Sequence, residues 1–284
     1  MELRFFCPWW GLDHLGLEAM VQFVAESGFD GIETFVPPDP DGRARLMKAI
    51  EDAGLDWIAH SYEAEGDLDR WCRHYRDLLR IAAELGPRFI NSHTGRDHWA
   101  PDAVDRVLNV AFEVEADSGV TILHETHRSR FPYSAAVAAS YLDRYPELRL
   151  TADLSHWACV SESLLEDQDH HLEPALARAD HIHARVGWAQ GAQVPDVRHP
   201  RWEHELAVHV DWWKRIQSHR RAAGAEVLTI TTEFGPPPYT PVDIETGEPL
   251  NDFRELDRWI RDHLVTELDP SLQRSPARPQ PAER

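Results

Sequence analysis

The chain has 284 residues, the length of one closed α/β barrel or of two smaller domains, and its 42% hydrophobic and 27% charged residues exclude an unfolded chain. Lys and Arg total 29 against 49 Asp and Glu, and the resulting net charge of -20 repels phosphate backbones and anionic lipid, which argues against nucleic-acid and membrane partners. No apolar run reaches the roughly 18 residues of a membrane span, and the start MELRFFCPWWG lacks the basic and apolar regions of a signal peptide, so a cytoplasmic protein is expected.

Leu3 to Cys7 predicts a first strand, and Leu17 to Ser27 predicts a helix with Leu17, Met20, Val21 and Val24 on one face and Gly28 as its stop. Gly31 to Val36 is the second strand. A turn at Pro37, Pro38, Asp39 and Pro40 leads into a helix from about Gly42 to Ala53, with Gly54 as C-cap. Asp56 to Ser61 predicts strand three, and Leu68 to Leu85 a long helix ended by Gly86-Pro87. Arg88 to His93 predicts strand four, followed by a helix from Pro101 to Ser118 with proline in its first turn. Val120 to Glu125, Leu148 to Leu154, His181 to Val186 and Glu226 to Glu233 supply strands five to eight. Between the last two, Gly187 to Glu205 has no strong period and stands where an active-site loop would follow strand seven. From Asp269 the prolines 270, 276, 279 and 281 mark an irregular tail, so the expected organisation is one domain over residues 1–268 and a tail over 269–284. Eight strands alternating with helices predict an α/β fold, a single (β/α)8 TIM barrel.

Polar residues cluster at the predicted strand ends: Glu33, His60, His93, Glu125, Asp153, His183 and Glu233. In a barrel these positions converge on one mouth. Glu125, Asp153, His183 and Glu233 make a set of three carboxylates and one imidazole that suits a single divalent ion, Mn²⁺, Mg²⁺, Co²⁺ or Zn²⁺. Without a cation, three such carboxylates would repel one another. Cys7, Cys72 and Cys159 are few, scattered and odd in number, so neither disulfides nor a thiolate zinc site is indicated. His156, three residues past Asp153, faces the same cavity as a contact for substrate oxygen or a further metal. His181 shares a strand face with His183, and the one nearer the strand end is the favoured ligand. Arg185, on that face again, is placed to grip a carboxylate, a phosphate or a developing alkoxide. His60, His93 and the aromatic faces of Trp9, Trp157 and Trp188 complete the expected substrate pocket. No GxGxxG follows the first strand, and no GxxxxGK[ST] loop or GxSxG elbow occurs, which weakens nucleotide-dependent and serine-hydrolase readings.

Glu125 in ILHET, Asp153 and His156 in TADLSHW, His183 in HIHARV and Glu233 in TTEFGP resemble the sugar phosphate isomerase/epimerase family, the xylose isomerase-like TIM barrels, over about residues 1 to 265. The resemblance implies a homo-oligomer-forming isomerase or epimerase of ketoses or inososes. Glu125, Asp153, His183 and Glu233 would hold the metal, His156 would touch substrate, and Glu125 and Glu233 would form the acid/base pair. Abstraction of an α-proton beside a metal-polarised carbonyl gives an enediolate. Return of the proton gives isomerisation or epimerisation, and loss of a β-hydroxyl gives an inosose-type dehydration on the same site. The epimerases carry an arginine several residues after the strand-seven histidine, where this chain has Ala189, with Arg185 only two residues after His183. Two alternatives accompany this reading. His60, His93 and His156 resemble part of the extra zinc-ligand set of endonuclease IV-like DNA repair enzymes, and a non-catalytic small-molecule-binding barrel would share the fold.

Overall fold

The computed structural model describes residues 1–61 and 67–269. Apart from Asp269, the predicted tail lies outside the described residues. Eight strands, β1 (Glu2–Pro8), β2 (Gly31–Phe35), β3 (Asp56–Ser61), β4 (Ile90–Ser92), β5 (Ile122–Glu125), β6 (Leu150–Ala152), β7 (Ala179–Ala184) and β8 (Val227–Thr232), pair in sequence order into a closed barrel. Every pairing is parallel, and closure comes from Phe5 opposite Ile230 between β1 and β8. The helices are α1 (Leu17–Glu26), α2 (Pro40–Ala53), α3 (Leu68–Glu84), α4 (Pro101–Ser118), α5 (Ala135–Arg144), α6 (Leu154–Ser161), α7 (Asp169–Arg178), α8 (Glu203–Ala222) and α9 (Phe253–Leu268). The chain therefore folds as a single (β/α)8 TIM barrel, as the alternation predicts.

Local chemistry sets the element ends. The Asp39 carboxylate accepts from Gly42 N at 2.7 Å to start α2, Pro40 fills its first turn, and Gly54 closes it in the left-handed region at φ 65°. Along α3, Trp71, Tyr75, Leu79 and Ala82 repeat at helical spacing and are all buried against the barrel. Strands four and six are shorter than the sequence suggests. Their ladders span only Ile90–Ser92 and Leu150–Ala152, because the flanking apolar residues sit in the connections. Strand seven starts two residues earlier than predicted, at Ala179. Within the predicted loop segment only a bridge between Trp188 and Gly191 and a 3-10 turn at Pro200–Trp202 are regular before α8 begins.

The apolar interior divides in two. The larger part fills the layer between strands and helices, and a small plug of Phe6, Ile58, Phe89 and Leu123 fills the barrel itself. His181 caps the plug, its ring 5.0 Å from that of Phe89. Gly31 admits the plug: a Cβ there would stand 2.4 Å from Phe6 Cε1 and 2.5 Å from Asp56 O. Gly31→Ala is expected to destabilise the protein by about 1–3 kcal/mol in chemical denaturation, the usual cost of overpacking. Unchanged stability would show that both the Phe6 ring and the Asp56 carbonyl yield without cost.

Candidate active site

Above the plug the inward positions turn polar. Glu33 from β2, Asn91 from β4, Glu125 from β5 and His183 from β7 form a buried layer across the barrel. Asp153 follows β6 directly and is the N-cap of α6, its carboxylate accepting from Ser155 N at 3.1 Å. Glu233 follows β8. Glu125, Asp153, His183 and Glu233 are all buried, and each offers one donor atom within 4.8 Å of the other three. His183 Nδ1 lies 3.2 Å from Glu233 Oε2 and 3.7 Å from Glu125 Oε2. Neither His183 Nδ1 nor Glu233 Oε2 completes a hydrogen bond, although both are shut off from solvent. Their partners are ionic, each other at 3.2 Å and Arg185 Nη2 at 3.2 Å from Glu233 Oε2, which leaves their hydrogen-bonding capacity open. The three-carboxylate, one-imidazole set together with these two atoms fits a hard or borderline divalent cation.

The electrostatics are those of crowded carboxylates. Burial, reinforced by the charges of Glu233 and Glu125, pushes the Asp153 carboxyl up to about 7, against the opposing pull of Arg185 and His183. Burial also acts to raise Glu125, but His93 and His183 together hold it well below the usual carboxylate range. For His183 burial opposes protonation, and the surrounding Glu233, Glu33 and Glu125 overcome it and hold the imidazole well above its ordinary value. His93, His127 and His156 are lowered, chiefly by burial. With His60 these form a row of rings across the ends of β3 to β6, with centroids 4.7, 4.5 and 3.9 Å apart in the order His60, His93, His127, His156.

A cavity of about 200 Å³ opens over this layer. Glu33, Glu125, Glu233, His60, His93 and Arg185 reach it from the barrel, and Trp9, Trp10, Phe35 and Tyr239 wall it. Gly235 makes room for one wall, since a Cβ there would fall 1.8 Å from Trp10 Cη2. Arg185 is 2% exposed. Its Nη2 contacts Asp153 Oδ2 and stands 3.2 Å from Glu233 Oε2 and 2.8 Å from His156 Nε2. The Tyr239 ring covers its guanidinium at 4.7 Å. Arg185 thus serves Asp153 and Glu233 as counter-ion as well as facing the cavity.

Three predicted pocket residues do not line this cavity. His156 sits behind its wall, fully buried between His127 and Arg185. Trp157 is fully buried in the core with Nε1 donating to Pro132 O at 2.7 Å, because the segment after Asp153 is a helix and turns this residue off the mouth. Trp188 packs on Trp202 at 5.2 Å, held by the turn to Gly191. Conversely, sequence reasoning places Glu33 at the mouth without giving it a role, and passes over Asn91 and Tyr239. An acid in the apolar run GIETF and an amide in FINSH are visible signals for the first two. Tyr239, in the loop PPPYT, has none.

The chain belongs to the xylose isomerase-like TIM barrel family, whose model matches residues 21–212. No curated protein sequence matches it. Among solved structures it is similar to the probable 3-DHS dehydratase AsbF of Bacillus anthracis, with TM-score 0.55, 16% identity, and coverage of 81% of this chain and 92% of that one. Endonuclease IV of Thermus thermophilus matches with TM-score 0.56 at 17% identity, over 95% of this chain and 100% of its own. The 3-keto-D-glucoside 4-epimerase YcjR of E. coli matches with TM-score 0.59 at 15% identity, over 92% and 99%. At these identities the likeness establishes the fold.

Proposed function

We propose that the protein is a divalent-metal-dependent isomerase or epimerase that acts on a ketose or related small polyol carbonyl compound through an enediolate. One observation carries this reading: four successive strand ends bring Glu125, Asp153, His183 and Glu233 within 4.8 Å of one another. A divalent ion held there supplies the positive charge that polarises a substrate carbonyl and its neighbouring hydroxyl. Of the four residues, Glu125 and Glu233 also reach the cavity, which suits them to remove and return the proton, while Asp153 and His183 stay behind them. Glu125, held below the usual carboxylate range, is ionised at neutral pH, the form that can accept a proton, although the same shift weakens it as a base. Arg185 offers N–H groups to a developing negative oxygen. Trp9, Trp10, Phe35 and Tyr239 keep water from the intermediate. The volume of the cavity suits a compact polyol. Loss of a β-hydroxyl from the same enediolate would make the enzyme a dehydratase.

A second reading, hydrolysis at a multi-metal centre of the endonuclease IV kind, draws on His60, His93 and Glu125, whose donor atoms also fall within 4.8 Å of one another. The net charge of -20 favours the first reading, since a phosphodiester backbone would be repelled. The test combines metal content, by plasma mass spectrometry without chelator, with a ketose and inosose screen in deuterated water followed by NMR. About one divalent ion per chain and deuterium exchange next to a carbonyl are expected. Several zinc ions with cleavage of an abasic oligonucleotide would replace this reading by the second. No metal after soaking with Mn²⁺, Co²⁺ or Zn²⁺ would overturn both.

A further inference from the structure

Glu33 stands at the centre of the polar layer, and other side chains take up both of its oxygens. Oε1 accepts from Asn91 Nδ2 at 2.8 Å and lies 3.2 Å from both His60 Nδ1 and His183 Nε2. Oε2 accepts from Thr231 Oγ1 at 2.6 Å and lies 3.1 Å from His183 Nε2 and 3.4 Å from His181 Nε2. A carboxylate offers about four lone-pair positions, and these neighbours occupy them. Glu33, His181 and His183 also lie close enough together to hold a cation. The nitrogens of His181 are engaged elsewhere, Nδ1 with Thr229 Oγ1 at 2.8 Å and Nε2 with Thr231 Oγ1 at 3.0 Å, so the trio is a hydrogen-bonded unit.

We propose that Glu33 is a positioning residue that keeps the proton on His183 Nε2, so that once a cation displaces the Nδ1 proton the Nδ1 lone pair is presented to the space between Glu125 and Glu233. The inference rests on the metal reading above. The geometry is directional: Nε2 faces the Glu33 carboxylate, which can only accept, and Nδ1 faces the other two carboxylates without a hydrogen bond. Asn91 extends the same hold. Its Nδ2 donates to Glu33 Oε1 and to Glu125 Oε2, each at 2.8 Å, so one amide ties the positioning carboxylate to a proposed ligand. Partners of this kind set the tautomer and basicity of a metal-binding imidazole and commonly contribute ten- to a hundred-fold to affinity.

Glu33→Gln tests the assignment because it keeps the size of the side chain and can turn an amide N–H toward His183 Nε2. That donor would favour the opposite tautomer and put a proton on Nδ1. Titration of the metal-free protein with Zn²⁺ against a chromophoric chelator is expected to show a ten- to hundred-fold weaker affinity for Glu33→Gln, with partial recovery in Glu33→Asp. In the Zn²⁺-loaded wild type, imidazole ¹⁵N NMR is expected to place the metal shift on His183 Nδ1 and the proton on Nε2. Wild-type affinity in Glu33→Gln, or His183 bound through Nε2, would overturn the proposal while leaving the metal site intact. Failure of the wild type to bind Zn²⁺ would instead remove the metal reading on which it stands. If Glu33→Gln does not fold, Thr231→Val loosens the same carboxylate without removing it, and an unchanged Zn²⁺ affinity there counts against the proposal in the same way.

Discussion

Glu125→Gln is expected to lower kcat/KM by about 10²- to 10⁴-fold, the usual contribution of a positioned general base, with Glu233→Gln producing a loss of the same order. Glutamine preserves the volume of each side chain and an acceptor oxygen but cannot carry a proton between two carbon positions. Because both residues also belong to the proposed ligand set, the assay should be run at saturating metal, with bound metal measured on the same samples. Deuterium exchange then separates the two roles. If the glutamates act on opposite faces of the substrate, each variant loses exchange from one epimer and keeps it for the other. If they serve only as ligands, both variants lose exchange in parallel with metal. Wild-type kcat/KM in either variant would remove that residue from the chemistry.

The fold was readable because each strand is followed by residues that stop it and start a helix. Asp56–Ser61 and Pro101–Ser118 agree with their predicted ends, the second bounded by a proline in its first turn and by Gly119 in the left-handed region. The convergence of Glu125, Asp153, His183 and Glu233 was visible for a related reason. A lone acid or imidazole ending an apolar strand has few structural uses, and eight parallel strands bring such residues to one mouth. The lining of the cavity was less legible. His156 and Trp157 read as residues just beyond strand six that face the mouth. The Asp153 carboxylate instead caps a helix at Ser155, which carries His156 behind the wall and Trp157 into the core. Glu33 shows the same limit from the other side: its residue type is visible, but its role depends on His183, 150 positions away, and on Asn91 and Thr231. Tyr239 covers Arg185 from a loop after β8, a pairing across the mouth that no local pattern encodes.

Chelation is expected to abolish turnover, and adding back one of Mn²⁺, Co²⁺ or Zn²⁺ to restore it, whereas Asp153→Asn should be inactive with or without added ion. Stability should follow the same site. A ligand present at a thousand times its Kd stabilises the folded chain by about 4 kcal/mol, so the chelated protein melts at a lower temperature and Asp153→Asn no longer responds to metal. The pH dependence provides an internal check. In the metal-free protein, burial and the nearby Glu233 and Glu125 carry the Asp153 carboxyl from its ordinary 3.8 to about 7. A raised carboxyl means that the folded chain holds a proton which the unfolded chain has already released. The associated stability is therefore present below pH 3.8 and lost progressively up to about pH 7. Subtracting the melting curves of Asp153→Asn from those of the metal-free wild type isolates this group from its coupled neighbours. The difference should grow against the wild type across that interval and then level off. Metal must displace the same proton, so affinity is expected to weaken as pH falls below 7. A flat difference would mean that Arg185, whose Nη2 contacts Asp153 Oδ2, already neutralises the carboxylate. A divalent ion would then have to compete with a guanidinium rather than with a proton.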